Sequence, residues 1–305
     1  MEIICINNVY KAKSKSVIAL GNFDGVHIGH KELLKNLVNM AKEKNIKSSI
    51  LVFKNHTKNL LAKKAQNLIT SNRKKYEIFE NMGIDIIYEI AFTKEIMHLE
   101  PEYFIENFLK ENLLIEGIVV GYDYKFGYKA KGDTKLLKEL SDKNSIDLIV
   151  VDKISDDGEA ISSTRIRNLI KNSNIKKANQ LLGYNFSMDC LVVHGKKLGS
   201  KMGYPTANLE LLDDYIIPKF GVYDSNVIIN NKLYKAVTNI GKNPTIENSG
   251  IRIESNIIDF NQDIYGQKIE LILLDYIRSE KKFDSIDSLF EQIKKDRKIV
   301  EDRFL

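Results

Sequence analysis

The sequence predicts two domains of different class: a doubly wound parallel α/β domain over residues 1–185 and an antiparallel β-barrel with a terminal helix over residues 186–305. Three observations predict it. Strand-like apolar runs alternate with helical periodicity in the first part, the pattern of a parallel sheet covered on both faces. After Gly183 strand-like runs follow one another with turns between them, the pattern of an antiparallel barrel. A chain of 305 residues is also long enough for two cores.

Each element has its own signal. Val17 to Leu20 is a short apolar strand running into Gly21, and His30 to Lys44 places Leu33, Leu34, Leu37, Val38 and Ala41 on one helical face. Ser48 to Phe53 is the next strand, Ser71 to Met82 a helix capped by Ser71 and closed by Gly83, and Asp85 to Ile90 a third strand. Pro101 opens a helix carrying Tyr103, Phe104 and Phe108. Ile115 to Gly121 and Ile146 to Ile154 are the fourth and fifth strands, with a helix from Thr134 to Asp142 between them. Two short helices follow, Ser163 to Lys171 and Ile175 to Leu182. In the second part the strands are Met188 to His194, Ala207 to Leu212, Val222 to Ile229, Leu233 to Asn239, Arg252 to Phe260 and Lys268 to Ile277. Asn230-Asn231 suits a tight hairpin turn, and a helix runs from Ser285 onwards.

The composition narrows the class. Forty-three per cent hydrophobic and 29% charged residues describe an ordinary globular chain, and no apolar run is long enough to span a bilayer. Met1 to Tyr10 lacks the basic start and apolar stretch of a secretory signal, which predicts a cytoplasmic protein with no membrane partner. The net charge of +5 comes from lysines spread among 41 acidic residues, so it marks no nucleic-acid surface. Cys5 and Cys190 are isolated and offer neither a disulfide framework nor a CxxC metal site.

The chemistry lies in two glycine-rich segments. Gly21 to His30 reads GNFDGVHIGH, between the first strand and the first helix. Glycines 21, 25 and 29 let backbone approach a ligand, and a helix start favours an anion. His27 and His30 can donate N–H groups to charge building on a phosphate. A structural turn, or a zinc site, would use the same residues, but no cysteine or HExxH helix accompanies them. Ile161 to Arg167 reads ISSTRIR, where Ser162, Ser163 and Thr164 meet a helix start and Arg167 adds a forked cation one turn on; an ordinary serine cap with a solvated arginine also fits. His194 to Asn208 reads HGKKLGSKMGYPTAN, a phosphate-covering loop or a common turn, in which Thr206 and Asn208 offer oxygens suited to Mg²⁺.

The order of these motifs resembles the nucleotidyltransferase superfamily of Rossmann-like HIGH proteins, most of all its FAD-synthesising branch. That branch's pattern runs through GNFDGVHIGH, Thr70-Ser71, FTKEIMHLEPEYFIENFL, GYDYKFG at Gly121 to Gly127, and ISSTRIR. Thr57 after His56 departs from it, since proline is usual there. No tRNA-binding domain or KMSKS loop accompanies the HIGH tetrad, which sets aside a tRNA synthetase. The second part resembles riboflavin kinase, through PTAN, GVY at Gly221, NIGKNPT from Asn239, IESNIIDF from Ile253 and DIYG from Asp263. Ser200 stands where that family often has arginine.

Together the halves resemble the prokaryotic bifunctional riboflavin kinase/FAD synthetase family. The resemblance implies that the barrel phosphorylates riboflavin with ATP and that the first domain adenylylates the resulting FMN, releasing pyrophosphate. It implies ATP contacts at Gly21, Asn22, Phe23, Asp24, Gly29, Ser162, Ser163 and Thr164, and in the barrel at Gly199, Lys201, Gly203 and Pro205. His27, His30 and Arg167 would serve adenylyl transfer, and Glu254 would be the general base of the kinase. Asp123 and Phe126 would lie near the flavin, and Thr206 and Asn208 would ligate Mg²⁺. Riboflavin, FMN and ATP are then the partners of a monomer or weak homo-oligomer. Three rivals stand beside this reading: a monofunctional enzyme, a flavin-binding protein without turnover, and a cytidylyltransferase for another phosphorylated substrate.

Overall fold

The computed structural model describes residues 1–54, 67–91, 93–195, 205–242 and 250–303. The chain forms two compact units, one of Met1–Gln66 with Asn72–Ser162 and one of Asn67–Ser71 with Ser163–Leu305.

The first unit is built on a parallel sheet of β1 (Glu2–Ile6), β2 (Ser16–Leu20), β3 (Lys47–Phe53), β4 (Ile86–Ile90), β5 (Ile115–Gly121) and β6 (Asp147–Val151), in the order β1-β4-β3-β2-β5-β6. Five of these strands were expected, β6 as a longer run. The sixth, β1, pairs with β4 at the sheet edge. Its pattern hid it, because among its apolar residues only Ile6 is buried while Ile3 stays exposed.

Side-chain alternation along β2 explains why both faces are covered. Val17 and Ala19 pack with Leu34 and Leu37 of α1 (Ile28–Lys44) and Phe79 of α2 (Asn72–Asn81). Ile18 and Leu20 face the other way, into a cluster that holds Phe108, Leu109 and Leu137. That second face is closed by α3 (Lys94–Met97), α4 (Pro101–Tyr103) with the π-helix Phe104–Asn112 that continues it, and α5 (Thr134–Lys143). The aromatic helix opened by Pro101 therefore exists, and most of it is wound as a π-helix.

Strand order fixes where this unit can bind a ligand. The sheet grows from β2 through β3 and β4 on one side and through β5 and β6 on the other. The switch point lies between the carboxyl ends of β2 and β5, from which GNFDGVHIGH and GYDYKFG emerge.

In the second unit β9 (Ser187–Val193), β10 (Ala207–Leu211), β11 (Gly221–Ile229), β12 (Lys232–Lys242), β13 (Ile251–Ile257) and β14 (Lys268–Arg278) form a closed antiparallel barrel, ordered β10-β13-β12-β11-β14-β9. A row of fully buried hydroxyls crosses three strands inside it: Ser225 and Thr238 lie 2.7 Å apart, and Thr238 and Ser255 2.8 Å. Each oxygen thus has a partner where an unpaired one would be costly. The terminal helix α8 (Ile286–Glu301) is tied to the barrel by Arg278, whose guanidinium grips Asp296 at 2.7–3.1 Å. Helices α6 (Ser163–Lys171) and α7 (Ile175–Leu182) belong to this unit, where the Asn179 amide donates to the Leu273 carbonyl at 3.0 Å. So does the strap Asn67–Ser71: Leu68 bridges Tyr215, Thr70 and Tyr184 share a 2.7 Å hydrogen bond, and Ser71 donates to Asp189 at 2.8 Å.

The turn between β11 and β12 has Asn230 at φ 49° and Asn231 at φ 63°, both left-handed, as a two-residue hairpin turn requires. Asn231→Gly should therefore keep or slightly raise stability. Asn231→Val should lower it by ~1–2 kcal/mol, the cost of forcing a branched residue into that region, measured by urea denaturation.

Candidate functional site

In the first unit the turn after β2 is wound tightly. Phe23 (φ 47°), Gly25 (φ 84°) and Val26 (φ 29°) all have left-handed backbone, and Phe23 and Val26 are fully buried. A bulky or branched residue in that region is strained, and here burial of the two side chains holds the strain in place. The outcome is a turn that delivers His27 to the start of α1 in an extended conformation.

His27 is the N-cap of that helix. Its Nδ1 accepts the backbone N–H of His30 at 3.3 Å, so the helix begins two residues before the expected His30. A neutral imidazole that accepts at Nδ1 carries its proton at Nε2, where it can donate. The two imidazoles stack, with ring centroids 3.8 Å apart and planes inclined by 16°. A Cβ at position 29 would come within 3.2 Å of the His27 imidazole, a tight contact that glycine avoids.

Burial pushes the His27 imidazole down to about 4. His30 is held well below its ordinary value by burial first, then by repulsion from His27 and from the Lys75 ammonium. Both rings are therefore neutral donors near neutral pH. The His30 Nδ1 is buried and has no hydrogen-bond partner among the described residues, as expected of a group oriented for a ligand.

The same Gly29 position lies 4.0 Å from the Ile161 carbonyl, which brings the start of ISSTRIR, with Ser162 next to it, beside the HIGH turn. A hairpin of β7 (Ser155–Asp156) and β8 (Glu159–Ala160) makes this possible, closed by the Ile161 N–H donating to the Ile154 carbonyl at 2.9 Å. Its tip, Asp157-Gly158, has φ 51° and 80°. Asp-Gly is a readable turn signal, so this hairpin has a mark in the sequence although no strand pattern flanks it.

The remaining residues of this group divide. Asn22 and Asp123 are exposed and Asp24 is buried. Phe126 is 5% exposed and packs in the core against Phe104 and Tyr124, with ring centroids 6.0 and 5.9 Å away. Lys75, on α2, was missed because lysine runs usually mark a solvated face; this one is 6% exposed. In the second unit, Ser163 opens α6, Thr164 is exposed, and Arg167 is a buried residue whose Nε donates to the Asn67 carbonyl at 3.3 Å. An ordinary solvated arginine does not describe Arg167.

The barrel carries its own polar group. Asn208 on β10 stands opposite Glu254 on β13, and Glu254 stands opposite Asn239 on β12, so three polar residues share one cross-strand row. Arg252 Nε lies 3.9 Å from the Glu254 carboxylate and Arg252 Nη2 3.7 Å from Glu280. The Asn239 side-chain oxygen is buried without a hydrogen-bond partner among the described residues. Asn239 was read as the start of NIGKNPT, but Arg252 was not singled out from sequence, since a polar residue inside a strand pattern usually faces solvent. A Cβ on Gly195 would overlap the Asn208 amide, so glycine there leaves that side chain its place. Thr206 immediately precedes β10 and is half-buried, and the exposed Pro205 accepts from the Asn256 amide at 2.8 Å. Gly199, Ser200, Lys201 and Gly203 lie outside the described residues, as do His56 and Thr57 and the NPT portion of NIGKNPT. The hydroxyl of Thr206 and the amide oxygen of Asn208 are hard-oxygen donors of the kind that suits Mg²⁺.

The depressed His27 pKa has a stability consequence. As pH falls below about 6.5 the unfolded chain takes up a proton that folded His27 refuses until about 4. Stability should therefore be full above that window and fall through it by on the order of 3 kcal/mol. Urea midpoints across pH 4–7 should show this slope in the wild type and a shallower one in His27→Asn, which keeps a capping side chain but does not titrate.

A family model described as FAD synthetase matches residues 9–165, and one described as riboflavin kinase matches residues 182–304. The bifunctional riboflavin kinase/FMN adenylyltransferase of Listeria monocytogenes is 36% identical over 92% of this chain and 90% of its own. The Bacillus subtilis protein of the same description is 35% identical over 95% and 92%. A solved Streptococcus pneumoniae structure, described as a macrolide-efflux protein, superposes with a TM-score of 0.92 at 34% identity, covering all of both chains. That description is the S. pneumoniae protein's own; no helix among the described residues here is long and apolar enough to cross a membrane. With both halves matched in order along one chain, this protein belongs to the bifunctional riboflavin kinase/FMN adenylyltransferase family.

Proposed function

We propose that the chain makes both flavin nucleotides and that the two groups of residues described above divide the work, with the functional boundary near residue 185. Riboflavin is phosphorylated by ATP to FMN, and FMN is adenylylated by a second ATP to FAD with release of pyrophosphate.

In the kinase step Glu254 accepts the proton of the riboflavin 5′-hydroxyl as that oxygen attacks the γ-phosphorus and ADP leaves. The observation that supports this is the register that aligns Asn208, Glu254 and Asn239 across β10, β13 and β12. Thr206 and Asn208 would hold Mg²⁺, which when bound neutralises charge on the ATP phosphates. Gly199, Lys201, Gly203 and Pro205 belong to the ATP-covering loop in this reading.

In the adenylylation step an FMN phosphate oxygen attacks the α-phosphorus of ATP and the bond to pyrophosphate breaks. The neutral His27 and His30 donate N–H groups to the charge that builds there, while Gly21, Asn22, Phe23, Asp24 and Gly29 shape the turn around the nucleotide. Ser162, Ser163, Thr164 and Arg167 hold the departing pyrophosphate. Asp123 offers a polar contact to the flavin, and Phe126 supports the loop from the core side. The stacked histidine pair at the switch point carries this half of the proposal. The protein acts as a cytoplasmic monomer or weak homo-oligomer on small molecules, without nucleic acid; evenly interleaved charges support the last point.

Incubation with riboflavin, ATP and Mg²⁺, followed by separation of the flavins, tests the whole reading. FAD should form through FMN; FMN alone, or neither product, points to one of the rivals. Glu254→Gln should reduce FMN formation by ~10²–10⁴-fold and leave conversion of supplied FMN to FAD intact. Arg167→Ala should make FMN accumulate, with FAD formation down by roughly 10²-fold; unchanged FAD output removes the pyrophosphate role. Gly195→Ala should cut kinase turnover at least ~10-fold while sparing adenylylation, because its methyl group displaces the Asn208 amide.

A further inference from the structure

The least expected charge in the first unit is Lys75. It lies on α2 four residues before Phe79, so both point from the same helical face into the protein. Phe79 packs edge-on against Phe23, with ring centroids 5.7 Å apart, and Phe23 lies 5.3 Å from the His30 ring. The face of α2 that carries Lys75 is therefore the face that backs the HIGH turn. Lys75 is 6% exposed, and one of its ammonium donors goes to Asn72 Oδ1 at 3.3 Å. Desolvating an ammonium is expensive, and a methionine would fill the same space without that cost.

We propose that Lys75 is a positioning residue of the adenylyl-transfer site: a buried positive charge on the face of α2 that backs the HIGH turn and acts on His30 through its field, with Asp24 as its counter-charge. This rests on the adenylylation reading above and adds a residue to it. The groups that act on one another here are His27 and His30 of the turn, Asp24 four residues before Ile28, and Lys75 with Asn72 on α2. Lys75 repels a proton from His30, as His27 does, on top of the effect of burial. Attraction from Asp24 opposes the burial that would otherwise discharge Lys75. The physical value of the arrangement is that the stacked histidines are uncharged before a nucleotide arrives. They then meet an incoming triphosphate as uncharged donors whose proton affinity rises only as negative charge arrives. Lys75 also supplies positive charge behind the turn without occupying the space that the nucleotide needs.

The test compares Lys75→Met, Lys75→Arg and wild type, using the full chain. Removal of the charge removes a repulsion, so the acid limb of the pH profile for FMN-to-FAD turnover should move to higher pH in Lys75→Met. The His30 titration followed by NMR should move the same way. Turnover near neutral pH should fall by roughly 10- to 100-fold, less than the ~10²–10³-fold expected when a donor to the reacting phosphate is lost. Lys75→Arg should stay near wild type in the pH profile, and riboflavin kinase activity should be unchanged in both variants. An unmoved pH profile and His30 titration in Lys75→Met overturns the proposal, and so does lost turnover without any titration shift, which marks a structural role only. Should methionine disturb the unit, so that kinase activity falls too, Lys75→Gln is read by the same titration with the same two outcomes. His30→Ala separates this from the reading beneath it: if that variant still makes FAD at the wild-type rate, the HIGH turn is not the adenylylation site, whatever Lys75 does.

Discussion

Much of the first unit depends on a backbone constraint at the end of β2. The chain must leave the sheet, turn within a few residues and start α1 with a side chain already capping it, and it does so through left-handed residues that include Phe23 and Val26. Those conformations are tolerated because both side chains are fully buried against the same core that α1 and α2 cover. The energy of packing thus maintains a geometry the local sequence would not choose. Once the turn is fixed, His27 caps the helix, Gly29 leaves room for its ring, and His30 stacks on it.

The barrel solves a different problem. A closed antiparallel sheet satisfies its own backbone, which leaves its interior free to hold polar side chains in pairs. Ser225, Thr238 and Ser255 form one such row and are mutually satisfied. The row of Asn208, Glu254 and Asn239 lies on the opposite face of the same strands, where side chains alternate, and the Asn239 side-chain oxygen is buried there without a partner among the described residues.

How much of this was legible follows from what each feature needs. The alternation of β2 and the face of α1 are written in residue periodicity, so the sheet, the barrel and the Asn230-Asn231 turn could be read directly. Element edges were less accessible: α1 begins at Ile28 because His27 caps it, and no propensity argument makes histidine the natural cap. The edge strand β1 escaped because exposed isoleucines break the pattern of burial. The motif histidines, Arg167 and Glu254 were visible as motif members. Lys75 and Arg252 were not: Lys75 is a common surface residue type whose burial depends on contacts distant in sequence, and the approach of Arg252 to Glu254 depends on the strand pairing. Arg167 shows the same limit from the other side, since its type and position were read but its burial and its bond to Asn67 were not.

The short strap from Asn67 to Ser71 changes how the molecule can be taken apart. Its neighbours in sequence on either side belong to the first unit, yet the strap itself is hydrogen-bonded to Tyr184, Asp189, Asp214 and Ile216. Severing the chain near residue 185 would separate the two sets of motifs but would not release two intact bodies. The carboxyl-terminal piece would lose a stitch from the other half of the polypeptide, along with the two helices that precede it. A kinase half excised at that point is thus left with Asp189 stripped of its Ser71 partner.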